Sequence, residues 1–373
     1  MFSFAPRIYL TMKNILLISI TLLAFGCTQQ SKNQTTEKPV PIADTLRYEQ
    51  ESHLKNVRQL TWGGNNAEAY WSFDSKKLIF QSDYSAWDVS CDQIFMLDPE
   101  KAAKGVKPPM ISTGLGRTTC AYFLPGDSTI VYGSTHLGNE ACPEVPPRGE
   151  KYVWPIYADY DIFVADLDGN IKNQLTSESG YDAEATVSPN GDRIIFTSTR
   201  SGDLELYTMN PDGSNVVQLT DELGYDGGAF FSPDGSKIVW RASRPQTEEE
   251  QTEYKDLLAK GLVQPTNMEL YVANADGSEA KKITSLGNAN WAPFFHPSGE
   301  KIIFSSNHKS KRGFPFNLFM INLDGTGLEQ ITFDDTFDSF AMFSPDGKKL
   351  VWASNRFNGG NRDTNLFMAE WVH

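Results

Sequence analysis

Six times along the chain the same phrase returns: a short apolar strand, a Ser-Pro-Asp-Gly-like turn, a second strand ending in a Ser/Thr-x-Arg/His step, then a third strand. The turns fall at Phe73-Asp74-Ser75, Pro125-Gly126-Asp127, Pro189-Asn190-Gly191, Pro233-Asp234-Gly235, Pro297-Ser298-Gly299 and Pro345-Asp346-Gly347. Successive turns lie 44 to 64 residues apart. That period, with four short strands per copy, marks a β-propeller blade rather than a solenoid or a tandem array of domains. Length alone would divide 373 residues into two or three domains. The repeats run from Arg58 to Trp371, however, so the expected fold is all-β: one six-bladed β-propeller over residues 46–373.

Several copies open on a strand of the type Gln-Leu-Thr, as at Gln174-Leu175-Thr176 and Gln218-Leu219-Thr220. In a propeller such a strand usually forms the outer edge of the preceding blade. By that count the last blade, ending in Leu366-Phe367-Met368-Ala369, lacks its outer strand, and the N-terminal strand near Val57 to Thr61 supplies it. The closure joins both chain ends in one sheet and removes edges open to aggregation.

The net charge of −14 sits largely in turn positions such as Asp168, Asp212, Asp276 and Asp324, with no stripe of Lys and Arg to meet phosphates. Nucleic acid is therefore not an expected partner. Lys13, the apolar run Ile15 to Phe25 and the small pair Gly26-Cys27 read as a secretory signal over residues 1–27, with Met12-Lys13 as its natural start. The run is too short for a membrane-spanning helix. Leu23-Ala24-Phe25-Gly26-Cys27 resembles the lipobox of bacterial lipoproteins, which implies an acylated Cys27 as lipid anchor. Ordinary cleavage, with Cys27 a spectator, is the other reading. Residues 28–45 read as a polar, disordered tether. The expected place is the cell envelope, on the periplasmic side, as an outer-membrane lipoprotein.

With the Pro-Asp-Gly turns on one face, the inner-strand entrances and second-strand ends share the other. That face also receives Asp83 to Asp92, Leu137 to Asp161, Pro245 to Asn267, His308 to Asn317 and Arg356 to Asn365. Long loops gathered on one side of a rigid scaffold are where binding usually resides. Thr247-x-x-Glu250, opening Glu248 to Lys260, reads as a capped helix.

Seven residues before each turn stand Asn66, Thr118, Asp182, Asp226, Asn290 and Asp338. A ring with three carboxylates at the channel mouth would hold a cation or the amino group of a peptide; alternatively, these side chains satisfy backbone groups of the preceding loops. Arg117, His136, Asp182, Asp226, Trp291 and Asp338 are the expected ligand-binding residues of the loop face. Trp87, Tyr152, Trp154, Tyr157, Tyr160 and Phe337 add aromatic surface for a sugar ring or an extended peptide. His136 and His308 belong to opposite blades and do not meet on one metal. In an exported protein a disulfide is the default, and Cys91 with Cys142 is the expected pair, leaving Cys120 free.

The repeat Phe231-Ser232-Pro233-Asp234-Gly235-Ser236-Lys237-Ile238-Val239-Trp240-Arg241-Ala242-Ser243-Arg244, echoed at Phe343 to Arg356, resembles the blade motif of the TolB-like propeller family. The resemblance spans about residues 56 to 371. It implies the fold and, by likeness to the TolB envelope protein, an envelope scaffold or recognition role; the same repeats also occur in the propeller halves of prolyl-oligopeptidase-like peptidases and in some pectin-fragment lyases, so the repeats alone specify the fold and not the function. No Gly-x-Ser-x-Gly elbow occurs. The reading is a monomeric lipoprotein that binds an envelope protein, peptide or glycan, with no catalytic residues, metal or cofactor. The alternative is a metal-assisted polysaccharide lyase or hydrolase.

Overall fold

The structure, a computed structural model, describes residues 44–146, 151–311 and 313–373. The signal-like segment 1–27 with Cys27, and the tether up to residue 43, lie outside the described residues.

Six antiparallel sheets follow one another along the chain. Their inner strands are Asn66–Trp71, Thr118–Phe123, Asp182–Val187, Asp226–Phe231, Asn290–Phe295 and Asp338–Phe343, which define blades 1 to 6. Each inner strand packs against those of the two neighbouring blades, and blade 6 meets blade 1, so the ring is closed. Second strands such as Ile194–Ser198 are buried along their whole length, because every blade is covered on both faces by its neighbours. This favours continuous β-branched and aromatic runs over strict alternation.

The N-terminal strand Leu54–Gln59 is the outer strand of blade 6, pairing antiparallel with Asn365–Trp371 in the register Leu54↔Trp371 and Gln59↔Phe367. Leu54 and Val57 are buried against the apolar interior that includes Trp352, Phe343 and Trp371. Blade 1 is the exception at the rim. It has three full strands, and its outer edge is reduced to a single bridge, Phe95↔Met110.

The recurring turns hold themselves. Ser232 Oγ donates to Asp234 Oδ1 at 2.6 Å and accepts from Lys237 N at 2.9 Å, and Gly235 takes φ +72°, a left-handed geometry that glycine adopts at least cost. The same serine-centred bonding recurs at Ser344.

One feature repeated in every blade was not visible in the strand pattern. The register slips just after the second residue of all six inner strands, resuming at the fifth residue in five blades and at the fourth in blade 2. The residue in the slip, Glu68, Cys120, Glu184, Gly228, Ala292 or Phe340, has φ between +43° and +60°. Each is a β-bulge, which re-aims one side chain per blade, and all six line the central cavity.

On the loop face the insertions of blades 2 and 4 meet. Trp154–Pro155 pairs antiparallel with Leu262–Val263, and Ile156 N donates to Gly261 O at 2.7 Å. The helix Glu248–Leu258 begins with the expected capping box of Thr247 and Glu250. It buries Tyr254, whose hydroxyl reaches Asp203 at the loop end of blade 3.

Candidate functional site

The entrance ring Asn66, Thr118, Asp182, Asp226, Asn290 and Asp338 is buried throughout. Eighteen residues after each acidic member comes an arginine that neutralises it: Arg200 Nη2 lies 2.9 Å from Asp182 Oδ2, Arg244 Nη2 2.7 Å from Asp226 Oδ1, and Arg356 Nη2 2.9 Å from Asp338 Oδ2. Behind the neutral members Thr118 and Asn290 the same position holds a histidine. His136 Nδ1 is 2.9 Å from Ser134 Oγ, and His308 Nδ1 2.8 Å from Ser306 Oγ. Asp226 also accepts from Trp240 Nε1 at 2.6 Å; burial pushes its carboxyl up to about 6, against the pull of Arg244.

Four of the expected binding residues stand outside the cavity. Asp182, Asp226, Asp338 and His136 do not line the cavity, because a buried carboxylate takes the nearest guanidinium and the histidine is tied to its own blade. The expected result of Asp182→Asn is accordingly a stability loss of about 1–2 kcal/mol with ligand capture unchanged. Chemical denaturation and a binding assay on the same protein check both halves.

Arg117 and Trp291 do line the cavity, which has a volume of about 660 Å³. It opens among the loops at the channel mouth and reaches down to the six bulges. Much of its wall is aromatic. Trp291 stacks on Phe316 with ring centroids 4.4 Å apart and lies 5.2 Å from Trp154 in the paired insertions. Trp291 Nε1 donates to Pro265 O at 2.9 Å, so the roof and the wall are fastened together.

The polar groups come from the bulges. Glu184 Oε1 accepts from Arg241 Nη2 at 2.7 Å and from the Tyr225 hydroxyl at 2.5 Å, and Oε2 accepts from Thr197 Oγ1 at 2.8 Å and Gly228 N at 2.7 Å. Burial opposes ionisation of Glu184, but Arg241 and the two hydroxyls outweigh it, and its carboxyl lies below the ordinary value. Arg241 passes over Trp154 and Tyr225 at 5.5 and 5.0 Å; its Nε is buried with no hydrogen-bond partner among the described residues. Glu68 Oε2 lies 2.8 Å from Cys120 Sγ. Burial pushes Glu68 up to about 7 and the Cys120 thiol well above its usual value, so Cys120 is a poor nucleophile.

Cys91 and Cys142 form a disulfide with Cα atoms 6.0 Å apart, and Cys120 is free and buried. Arg117 is bonded to Asp92 beside this link, and its Nε has no hydrogen-bond partner among the described residues. Among the described residues no three of His, Cys, Asp and Glu are gathered as a metal ion requires. Glu68, Glu184, Tyr225 and Arg241 are the functional candidates that the sequence reading missed. The available signal was a carboxylate two positions into an otherwise apolar inner strand, at Glu68 and again at Glu184.

Residues 133–266 match the family model described as the TolB beta propeller domain. No curated protein matches the chain. Among solved structures, a putative TolB from Agrobacterium tumefaciens is 18% identical with a TM-score of 0.53, over 83% of this chain and 91% of that one. TolB from Acinetobacter baumannii is also 18% identical, TM-score 0.52, over 74% of this chain and 56% of that one. The tricorn protease is 20% identical, TM-score 0.50, over 78% of this chain and 24% of that one. Identities this low establish the shared β-propeller fold, and residues 133–266 carry the similarity to the TolB beta propeller domain.

Proposed function

We propose that this propeller is a non-catalytic binding module of the cell envelope, exported by its N-terminal signal, held on the periplasmic side through a lipidated Cys27, and acting as a monomer. Its ligand is a peptide segment of an envelope protein, taken into the cavity on the loop face. The observation that carries this reading is the cavity itself: aromatic walls around a small set of fixed polar groups, Glu184, Arg241 and Tyr225, on a rigid ring. A volume of about 660 Å³ suits one or two side chains of an extended segment and not a folded domain. The fixed polar groups orient a backbone or a polar head, while the rings take its apolar part.

Trp154 is half-buried in the roof and lines the cavity beside Trp291. Trp154→Ala is expected to weaken capture of a partner from envelope extracts about tenfold or more. Asp212→Ala and Asp276→Ala, in the hairpins between third and fourth strands, should leave capture unchanged. Loss of capture in the hairpin variants with retention in Trp154→Ala would place binding outside the cavity. A glycan recovered in place of a protein would change the ligand class while keeping the site.

A further inference from the structure

We propose that the cavity accepts an organic ammonium group, with Glu68 as its counter-ion and the aromatic side of blades 5 and 6 seating the arm that carries it. This rests on the cavity being the binding site and names the chemistry it selects.

The charges around the cavity are matched except one. Glu184 is paired with Arg241 at 2.7 Å, and Asp92 with Arg117. Among the described residues Glu68 has no ion pair. Its Oε2 meets Cys120 Sγ at 2.8 Å and the Tyr70 hydroxyl at 3.4 Å, and among the described residues Oε1 has no hydrogen-bond partner. A carboxylate in a low-dielectric channel is costly unless paired, so this position is completed by a cation brought from outside. An anionic head would meet the same carboxylate unfavourably.

A second observation points to a ligand at this place. Arg241 is only 7% exposed, lines the cavity and has a buried Nε with no hydrogen-bond partner among the described residues. Its charge is matched by Glu184, so it does not repel the incoming ammonium, and its free N–H suits a neutral acceptor beside that group, such as an amide carbonyl.

The bulges divide the channel into two halves. Blades 1 to 3 contribute Glu68, Cys120 and Glu184, whereas blades 5 and 6 contribute Ala292 and Phe340. Phe230 bridges the halves, 6.0 Å from Tyr70 and 5.2 Å from Phe294. An ammonium on an aromatic or aliphatic arm fits this division, with the ring faces adding cation–π attraction.

The test is calorimetric titration of the full chain with phenethylammonium, with N-acetyl-lysinamide, and with neutral N-acetylphenethylamine. Phenethylammonium should bind, its acetylated analogue should bind about tenfold or more weakly, and Glu68→Gln should remove that difference. In the wild type, amine affinity should climb between about pH 6 and about pH 8 as Glu68, near 7, loses its proton. The groups facing Glu68 are Cys120 and Tyr70, both raised well above this range by burial, Glu184, which is lowered, Arg241, which stays charged, and Asp92, raised by burial. A pH slope that survives in Glu68→Gln would belong to Asp92 and would overturn the assignment. Tighter binding of N-acetyl-lysinamide than of phenethylammonium would identify a lysine side chain as the natural head; the reverse would identify a chain N-terminus.

Equal binding of the amine and its acetylated analogue, or no binding of either amine, overturns the inference. If both phenethyl probes bind equally and Trp154→Ala abolishes both, the cavity remains the site and only the ammonium assignment falls. The wild-type comparison of amine with acetylated analogue decides the matter even if Glu68→Gln does not fold.

Discussion

Arg356→Met is expected to lower the unfolding free energy by about 3–5 kcal/mol, enough to remove much of a typical domain's stability. Arg356 is the clasp of the ring. Its Nη2 lies 2.9 Å from Glu51 Oε1 and 2.9 Å from Asp338 Oδ2, and Nη1 lies 3.1 Å from Glu51 Oε2 and 3.2 Å from Leu46 O. All three charged side chains are fully buried. Glu51 belongs to the N-terminal segment and Asp338 to the inner strand of blade 6, so one guanidinium ties the chain's start to its last blade. Removing it leaves two carboxylates in the interior with no cation.

The pH dependence gives this prediction a sign. Burial already raises the Glu51 carboxyl above its ordinary value against the pull of Arg356, and loss of that pull raises it further. A folded carboxyl raised above its unfolded value binds more protons in the folded state, so the damage should shrink as pH falls towards 5 and grow towards 8. Denaturant unfolding at both pH values measures this. A loss under about 1 kcal/mol at neutral pH would show that the clasp is dispensable.

The ring and its closure were legible because both are written in local, repeated chemistry. Pro233-Asp234-Gly235 and its copies mark hairpins by turn geometry alone, and counting outer strands exposes the vacancy that Leu54–Gln59 fills. The pairing of Asp182 with Arg200, Asp226 with Arg244 and Asp338 with Arg356 was also present in the sequence at a constant spacing. Where the entrance residue is neutral, at Thr118 and Asn290, the partner is His136 or His308. Read as two separate columns, these residues suggested a ligand ring; read as pairs, they compensate one another's charge.

The cavity was not legible for a physical reason. A bulge shifts strand parity by one residue, so Glu68 and Glu184, which simple alternation would assign to a blade face, turn into the channel. Nothing local marks the slip, since residues as different as Glu, Cys, Ala and Phe occupy it. The roof was hidden likewise, because Trp154–Pro155 and Leu262–Val263 pair across more than a hundred residues of sequence, a contact set by the blades between them.

Gly228→Ala is expected to cost about 3 kcal/mol and to weaken ligand capture in parallel. The left-handed backbone is not the main reason. Ala292 has φ +47° and Phe340 φ +54° at the equivalent place in their blades, so the bulge tolerates a side chain. What differs in blade 4 is Arg241. A Cβ on Gly228 would lie 1.7 Å from Arg241 Nη1, forcing the guanidinium away from Glu184 and Tyr225 and leaving Glu184 unpaired in the channel. If this is the cause, Gly228→Ala should add little once the guanidinium is gone. The double variant Gly228→Ala/Arg241→Leu should then be no less stable than Arg241→Leu alone, to within about 0.5 kcal/mol. Full additivity of the two losses would mean that the glycine is required by the backbone and not by the buried pair that shapes the cavity floor.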